Sequence, residues 1–174
     1  KPRSISGTNS KWVVYHKDVG NTDFLFLNDS GTGTGTNYLG NTDPTSSVFT
    51  LFAGGYTQVD TSGNDYIAYL FASLDGICKV GNYTGTGSAQ DIDCGFTNGA
   101  RFVLIKRCDA ADSWHLIDTT QGINVGSDGH VRLDTTAAQY TTMDIIDPLN
   151  SGFKLQTDPG VNASGGSYIF LAIA

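Results

Sequence analysis

The chain has 174 residues, a mass of 18.5 kDa and a formal net charge of −7, enough for one domain with a buried core and too acidic for the clustered Lys and Arg of a nucleic-acid binder. All seventeen acidic residues are Asp, Glu is absent, and 22 residues are Gly, so good helix formers are scarce and a helical core is excluded. No apolar run approaches the ~18 residues of a membrane-spanning helix, and no membrane insertion is expected.

Taken in chain order, short apolar runs alternate with breaks rich in Gly, Asn, Asp and Thr, which predicts strands at 12–16, 23–28, 47–53, 65–72, 76–83, 90–95, 100–107, 114–118, 130–134, 152–157 and 167–174. The Gly-rich stretch 31–37 lacks the spacing of a nucleotide-binding loop and reads as a loop. Many short strands imply an all-β fold: a two-sheet antiparallel sandwich, jelly-roll or lectin-like, formed by one domain over 1–174. The runs FLFL, YIAYLF, FVLI and YIFLAI are apolar at both parities, so a second layer or a neighbouring subunit should cover their outer faces.

One pattern is written twice. Ser62-Gly-Asn-Asp-Tyr-Ile…Ala72 returns 102 positions later as Ser164-Gly-Gly-Ser-Tyr-Ile…Ala174. In each, Ser-Gly suits a tight turn and the following run suits a strand, so the repeat predicts two central strands and makes them candidate neighbours in a sheet. A chance likeness of two unrelated strands is the alternative.

Residues able to do chemistry are few. Cys78, Cys94 and Cys108 cannot all pair within one chain and lack C-x-x-C spacing, so reduced, buried thiols are expected. His16, His115 and His130 have no metal-ligand spacing, and no motif calls for a cofactor. Asp91 and Asp93 fall on one face of a strand and are the weak candidates for a cation, as is the turn 60–65; turn chemistry explains them without an ion. Paired Asp carboxylates keep a glycosidase open as a minor alternative. Tyr83 with Asn82, and Trp114 with His115, place a ring beside short polar side chains, the pattern that holds a sugar, and are the candidate ligand-binding residues; core packing is the competing explanation for both rings.

The series YIAYLFA, GICKVGNYTGTG, IDCGF, ARFVLIKR, SWHLIDTTQG, IDPLNSGF and NASGGSYIFLAIA, over about 60–174, resembles the C-terminal domain of tail fibres and related virion adhesion proteins of phages, notably those infecting marine cyanobacteria. Asn98-Gly-Ala stands where that pattern carries a proline-containing turn. The resemblance implies a virion protein, assembled in the cytoplasm of a bacterial host. It would bind a host-surface glycan without catalysis, form a homotrimer and continue an upstream fibre shaft. The absent initial Met suits such a distal piece. A structural role in the virion, as a capsid decoration or tail spacer, is the alternative, and a tailspike-type polysaccharide-degrading enzyme the third reading.

Overall fold

A computed structural model describes residues 11–34, 38–52 and 58–174. The fold is all-β, as the composition requires. The chain divides into two compact units, 1–70 and 71–174.

In the first unit, β1 (Val13–Val14), β2 (Asp23–Phe26) and β3 (Thr32–Thr34) form an antiparallel sheet in that order. The stretch 31–37, expected as a loop, thus contributes β3 at 32–34, and 35–37 lie outside the described residues. Phe24, Tyr38 and Leu39 make a small core against Val13, Tyr15, Phe26 and Val59. Phe24 meets Phe26 and Tyr38 edge-on, at 5.1 and 5.4 Å between centroids.

The second unit holds the sandwich. Its strands are β4 (Cys78–Thr84), β5 (Gln90–Asp93), β6 (Phe102–Arg107), β7 (Trp114–Asp118), β8 (Asp128–Arg132), β9 (Tyr140–Met143), β10 (Ile146–Leu149), β11 (Gly152–Leu155) and β12 (Ser167–Ile173). A six-stranded sheet, β4-β12-β6-β7-β8-β9, packs on a three-stranded one, β10-β11-β5, with antiparallel pairing throughout. Val103, Ile105, Ile117, Phe170 and Ala172 from the larger sheet close over Ile92, Ile146, Phe153 and Leu155 from the smaller. Phe153 meets Phe170 edge-on at 5.4 Å.

Two apolar parities now have distinct uses. On β12, Tyr168, Phe170 and Ala172 enter the core. The other parity contributes Leu171 to a row that register places side by side across five strands, Val80, Leu171, Leu104, Leu116 and Val131, all half-buried.

Two expected strands do not form. Residues 47–52 make no strand and are exposed, while Ala53 lies outside the described residues. Residues 65–72 have only a single bridge at Tyr66, and every residue from Ile67 to Ile77 is exposed. Besides β3, two strands were not anticipated, β9 and β10, and both are sheet edges. Edge strands need no long apolar run, and β10 accommodates Pro148 because an edge residue can forgo its N–H bond.

Candidate functional site

The motif GNYTGTG and the repeat SGGSYI meet at one end of the six-stranded sheet. β4 and β12 pair so that Tyr83 lies opposite Tyr168, and the rings stack at 5.0 Å with 7° between planes. The Tyr83 hydroxyl donates to the Val161 carbonyl at 2.5 Å. That of Tyr168 donates to Pro159 O at 3.0 Å and accepts from Ala163 N at 2.9 Å. Burial, followed by the neighbouring phenol of Tyr168, pushes the Tyr83 phenol well above its ordinary range.

Between these rings and solvent runs a pair of loops, 85–89 and 163–166, joined by Gly85 N to Gly166 O and Gly165 N to Gly85 O, both 2.8 Å. The loops approach so closely that a Cβ on Gly85 would lie 2.2 Å from the Ala163 carbonyl oxygen, so only glycine fits. Asp158 caps the single-turn α1 (Pro159–Asn162) by accepting from Gly160 N, with Pro159 at its start.

Asn162, at the end of that turn, is fully buried and locks the first loop. Its side-chain oxygen accepts from Thr86 N at 2.8 Å, its amide donates to Ser88 O at 2.7 Å and Gln156 O at 2.8 Å, and its backbone carbonyl accepts from Gly87 N at 2.9 Å. A buried amide with its carbonyl and both amide hydrogens bonded is a rigid support. The supported surface is polar: Asn82, Thr84, Thr86, Ser88, Ser164 and Ser167 are exposed. Beside it, Arg107 forks onto Asp109 at 2.9 and 3.0 Å and holds that carboxyl down to about 2, while Asp109 also accepts from Ser167 N.

Of the four candidate ligand-binding residues, Asn82 alone is exposed, on the outward side of β4 beside this tip. Tyr83 and Trp114 are buried at 8% and 3% exposure, so neither ring presents a face for a sugar to cover. Trp114 starts β7, where its backbone N–H donates to the Asp134 carboxylate at 3.0 Å. His115 is fully buried, with its ring 5.4 Å from His130, which stacks on Tyr140 at 4.9 Å under the Arg132 guanidinium. Burial lowers the His115 imidazole to about 3, helped by His130, Arg132 and Lys106, and it lowers His130 as well. These imidazoles are neutral packing groups at neutral pH.

Asp91 and Asp93 project outward from β5, with Lys154 opposite Asp91 and Asp93 accepting from Gly95 N at 2.8 Å. Among the described residues no three His, Cys, Asp or Glu side chains gather as a metal site. The three thiols are free; burial pushes Cys94 up to about 12 and Cys108 up to about 11, far from a reactive thiolate.

Sequence reasoning missed Asn162. Its local signal, Asp-Pro-Gly-x-Asn, marks a capped turn, but nothing in it separates a buried, doubly engaged Asn from an ordinary exposed one.

The fold and site define an all-β sandwich with a glycine-tight, hydroxyl-rich tip. The chain belongs to a family described as a domain of unknown function (DUF7483), matched over residues 3–174 and so across both compact units. No curated protein and no solved structure matches it.

Proposed function

We propose that this chain is a non-enzymatic adhesion domain of a virion fibre, one that attaches the particle to a glycan on the host surface. The observation that carries the reading is the locked tip. Six exposed hydroxyl and amide side chains stand on two loops and the adjoining ends of β4 and β12, a tip held by Asn162 and by the Tyr83–Tyr168 pair. Such a surface meets sugar hydroxyls with little ordering cost on binding. Recognition there proceeds by hydrogen bonds from Asn82 and the neighbouring Ser and Thr residues rather than by ring stacking, since the nearby rings are enclosed. Binding rather than catalysis also agrees with where the chemistry-bearing groups lie: His115, His130 and Cys94 are buried, and their protonation is shifted away from acid–base or nucleophilic use.

The test is to stain intact cells of candidate bacterial hosts with the fluorescently labelled chain, before and after removal of surface polysaccharide. The reading expects staining that disappears with the glycan and weakens in Asn82→Ala while the melting temperature holds. Absence of staining across hosts would leave the second reading, a structural virion protein. The exposed apolar run 67–77 favours that one, since a particle component needs contacts rather than a receptor.

A further inference from the structure

Toward β9, the core face of the six-stranded sheet becomes polar while staying buried. Register sets His130 opposite the core residue Ile117, Arg132 opposite His115, and Tyr140 of β9 opposite His130. His115 and His130 are fully buried, and none of their four ring nitrogens makes a hydrogen bond to the protein. Buried polar groups without partners are uncommon and costly, so two facing rings of this kind call for an explanation.

The pair lies against the turn that locks the tip. Gly160 of α1 rests directly on His115: a Cβ there would stand 3.0 Å from Nε2 and 3.1 Å from Cε1. Two residues on, Asn162 bonds the loop 85–89 at Thr86, Gly87 and Ser88. The ring therefore supports α1, and α1 holds the loop. Four residues long, α1 is a lighter element than β7 or β8, which are interior strands bonded on both sides. A change of charge on the rings moves α1 more readily than it moves the sheet.

The groups around the pair set the direction of that change. Lys106 on β6, whose Nζ donates to Asp112 O, and Arg132 on β8, over the Tyr140 ring of β9, are cations; Asp128 on β8 and Asp158 ahead of α1 are carboxylates. Asp128 already accepts from the backbone N–H groups of Asn124, Ile145 and Ile146, and Asp158 accepts from Gly160 N. A proton on one imidazole therefore meets burial, a second imidazole 5.4 Å away and two cations. The two carboxylates soften this at His130 without reversing it.

We propose that His115 and His130 form an acid latch on the tip: protonation drives α1 off the His115 ring and frees the loop 85–89 that Asn162 holds, and with it the loop 163–166 bonded to Gly85. At neutral pH both rings are neutral and the tip is locked. In the open form the rings reach water and take up protons near pH 6.5, so below about 6.5 the open population rises by up to tenfold per pH unit for each imidazole. For a tip that holds a glycan, the consequence is release on acidification. That consequence rests on the adhesion reading; the opening itself does not.

Amide hydrogen exchange of the 174-residue chain, followed residue by residue by NMR at pH 7 and pH 5 and divided by the intrinsic rate at each pH, tests the opening. Thr86 and Gly87 donate to Asn162 and report the latch, while Val103 and Ile105 in the core report the whole fold. Protection at Thr86 and Gly87 should be weaker than in the core at both pH values and should fall at least tenfold from pH 7 to pH 5. Protection there that is independent of pH, or equal to the core's throughout, overturns the proposal. His115→Leu and His130→Phe should each reduce the fall, and the double variant should abolish it; a double variant as sensitive as the parent overturns the assignment to these rings. Should the variants fail to fold, the parent's exchange at the two pH values decides the matter. Staining of host cells by the labelled chain should be lost at pH 5 and return at pH 7. Staining that persists at pH 5 while the loops open overturns release, whereas absence of staining at both values overturns the adhesion reading, with the latch still decided by exchange.

Discussion

Residues 61–72 and 163–174 begin with the same turn, the same left-handed glycine and the same tyrosine hydroxyl on the amide five positions back. One becomes an interior strand of the six-stranded sheet, with Tyr168, Ile169, Phe170 and Ala172 at 4% exposure or less; in the other the residues from Ile67 to Ala72 are exposed, and Tyr69 stacks on Trp12 at 5.9 Å between centroids. The difference teaches that a turn and a strand-grade run specify a strand only up to the choice of partners. At 168–173 two flanking strands are supplied by the same unit. At 68–72 no backbone hydrogen bond forms among the described residues, and the sequence alone carries no mark of that.

The comparison breaks most severely at its buried side. Removing 168–174 takes out β12 and separates β4 from β6, besides three large side chains worth roughly 1.5–3 kcal/mol each, a loss that approaches or exceeds the usual 5–15 kcal/mol of domain stability. The truncated chain should show no cooperative melt. Single substitutions repeat the contrast on a smaller scale. Phe170→Ala should cost about 3–5 kcal/mol by urea denaturation, because Phe170 packs between Phe153 and Tyr83, whereas Phe71→Ala, at an exposed side chain, should leave the unfolding of the chain nearly unchanged.

Acid sharpens the comparison, because every histidine lies outside 58–77. His115 is held neutral in the folded state, with its titration lowered from 6.5 to about 3, so the unfolded chain takes up the proton first. Stability is then full above about 6.5 and falls as the pH drops toward 3, by up to about 1.4 kcal/mol per pH unit for this group. His130, also lowered, adds to the slope. Thermal melts between pH 7 and 4 should show the decline, and His115→Leu should flatten it. The smallest expected effect lies in the shared hydroxyls. Tyr168→Phe forfeits two part-buried bonds and should cost about 1–3 kcal/mol, while Tyr66→Phe forfeits the exposed bond from Thr61 N and should cost under about 1 kcal/mol.

Much of the fold was legible. The absence of Glu and the Gly-rich breaks identify an all-β chain, and the apolar runs at 102–107, 114–118 and 167–173 mark core strands because their burial comes from the same unit. The edges β9 and β10 were not, since an edge needs neither alternation nor a free N–H at Pro148. The site was legible only in part. Asn82 is where a ligand could reach it, but Tyr83, Trp114 and His115 are turned inward, because the same rings that could cover a sugar are also the ones that fill a core. Burial of a ring depends on what lies across the sheet, and that information is spread over β11, α1 and β8 rather than in the neighbouring residues.

The central claim is that one turn is built twice, and that the run after it is locked into the sheet at 168–173 while 68–72 makes no backbone hydrogen bond among the described residues. Amide hydrogen exchange of the unsubstituted chain, read by peptide, measures it directly. The account predicts slow exchange at 168–173 and fast exchange at 68–72. Protection at 68–72 as strong as that at 168–173 would contradict it.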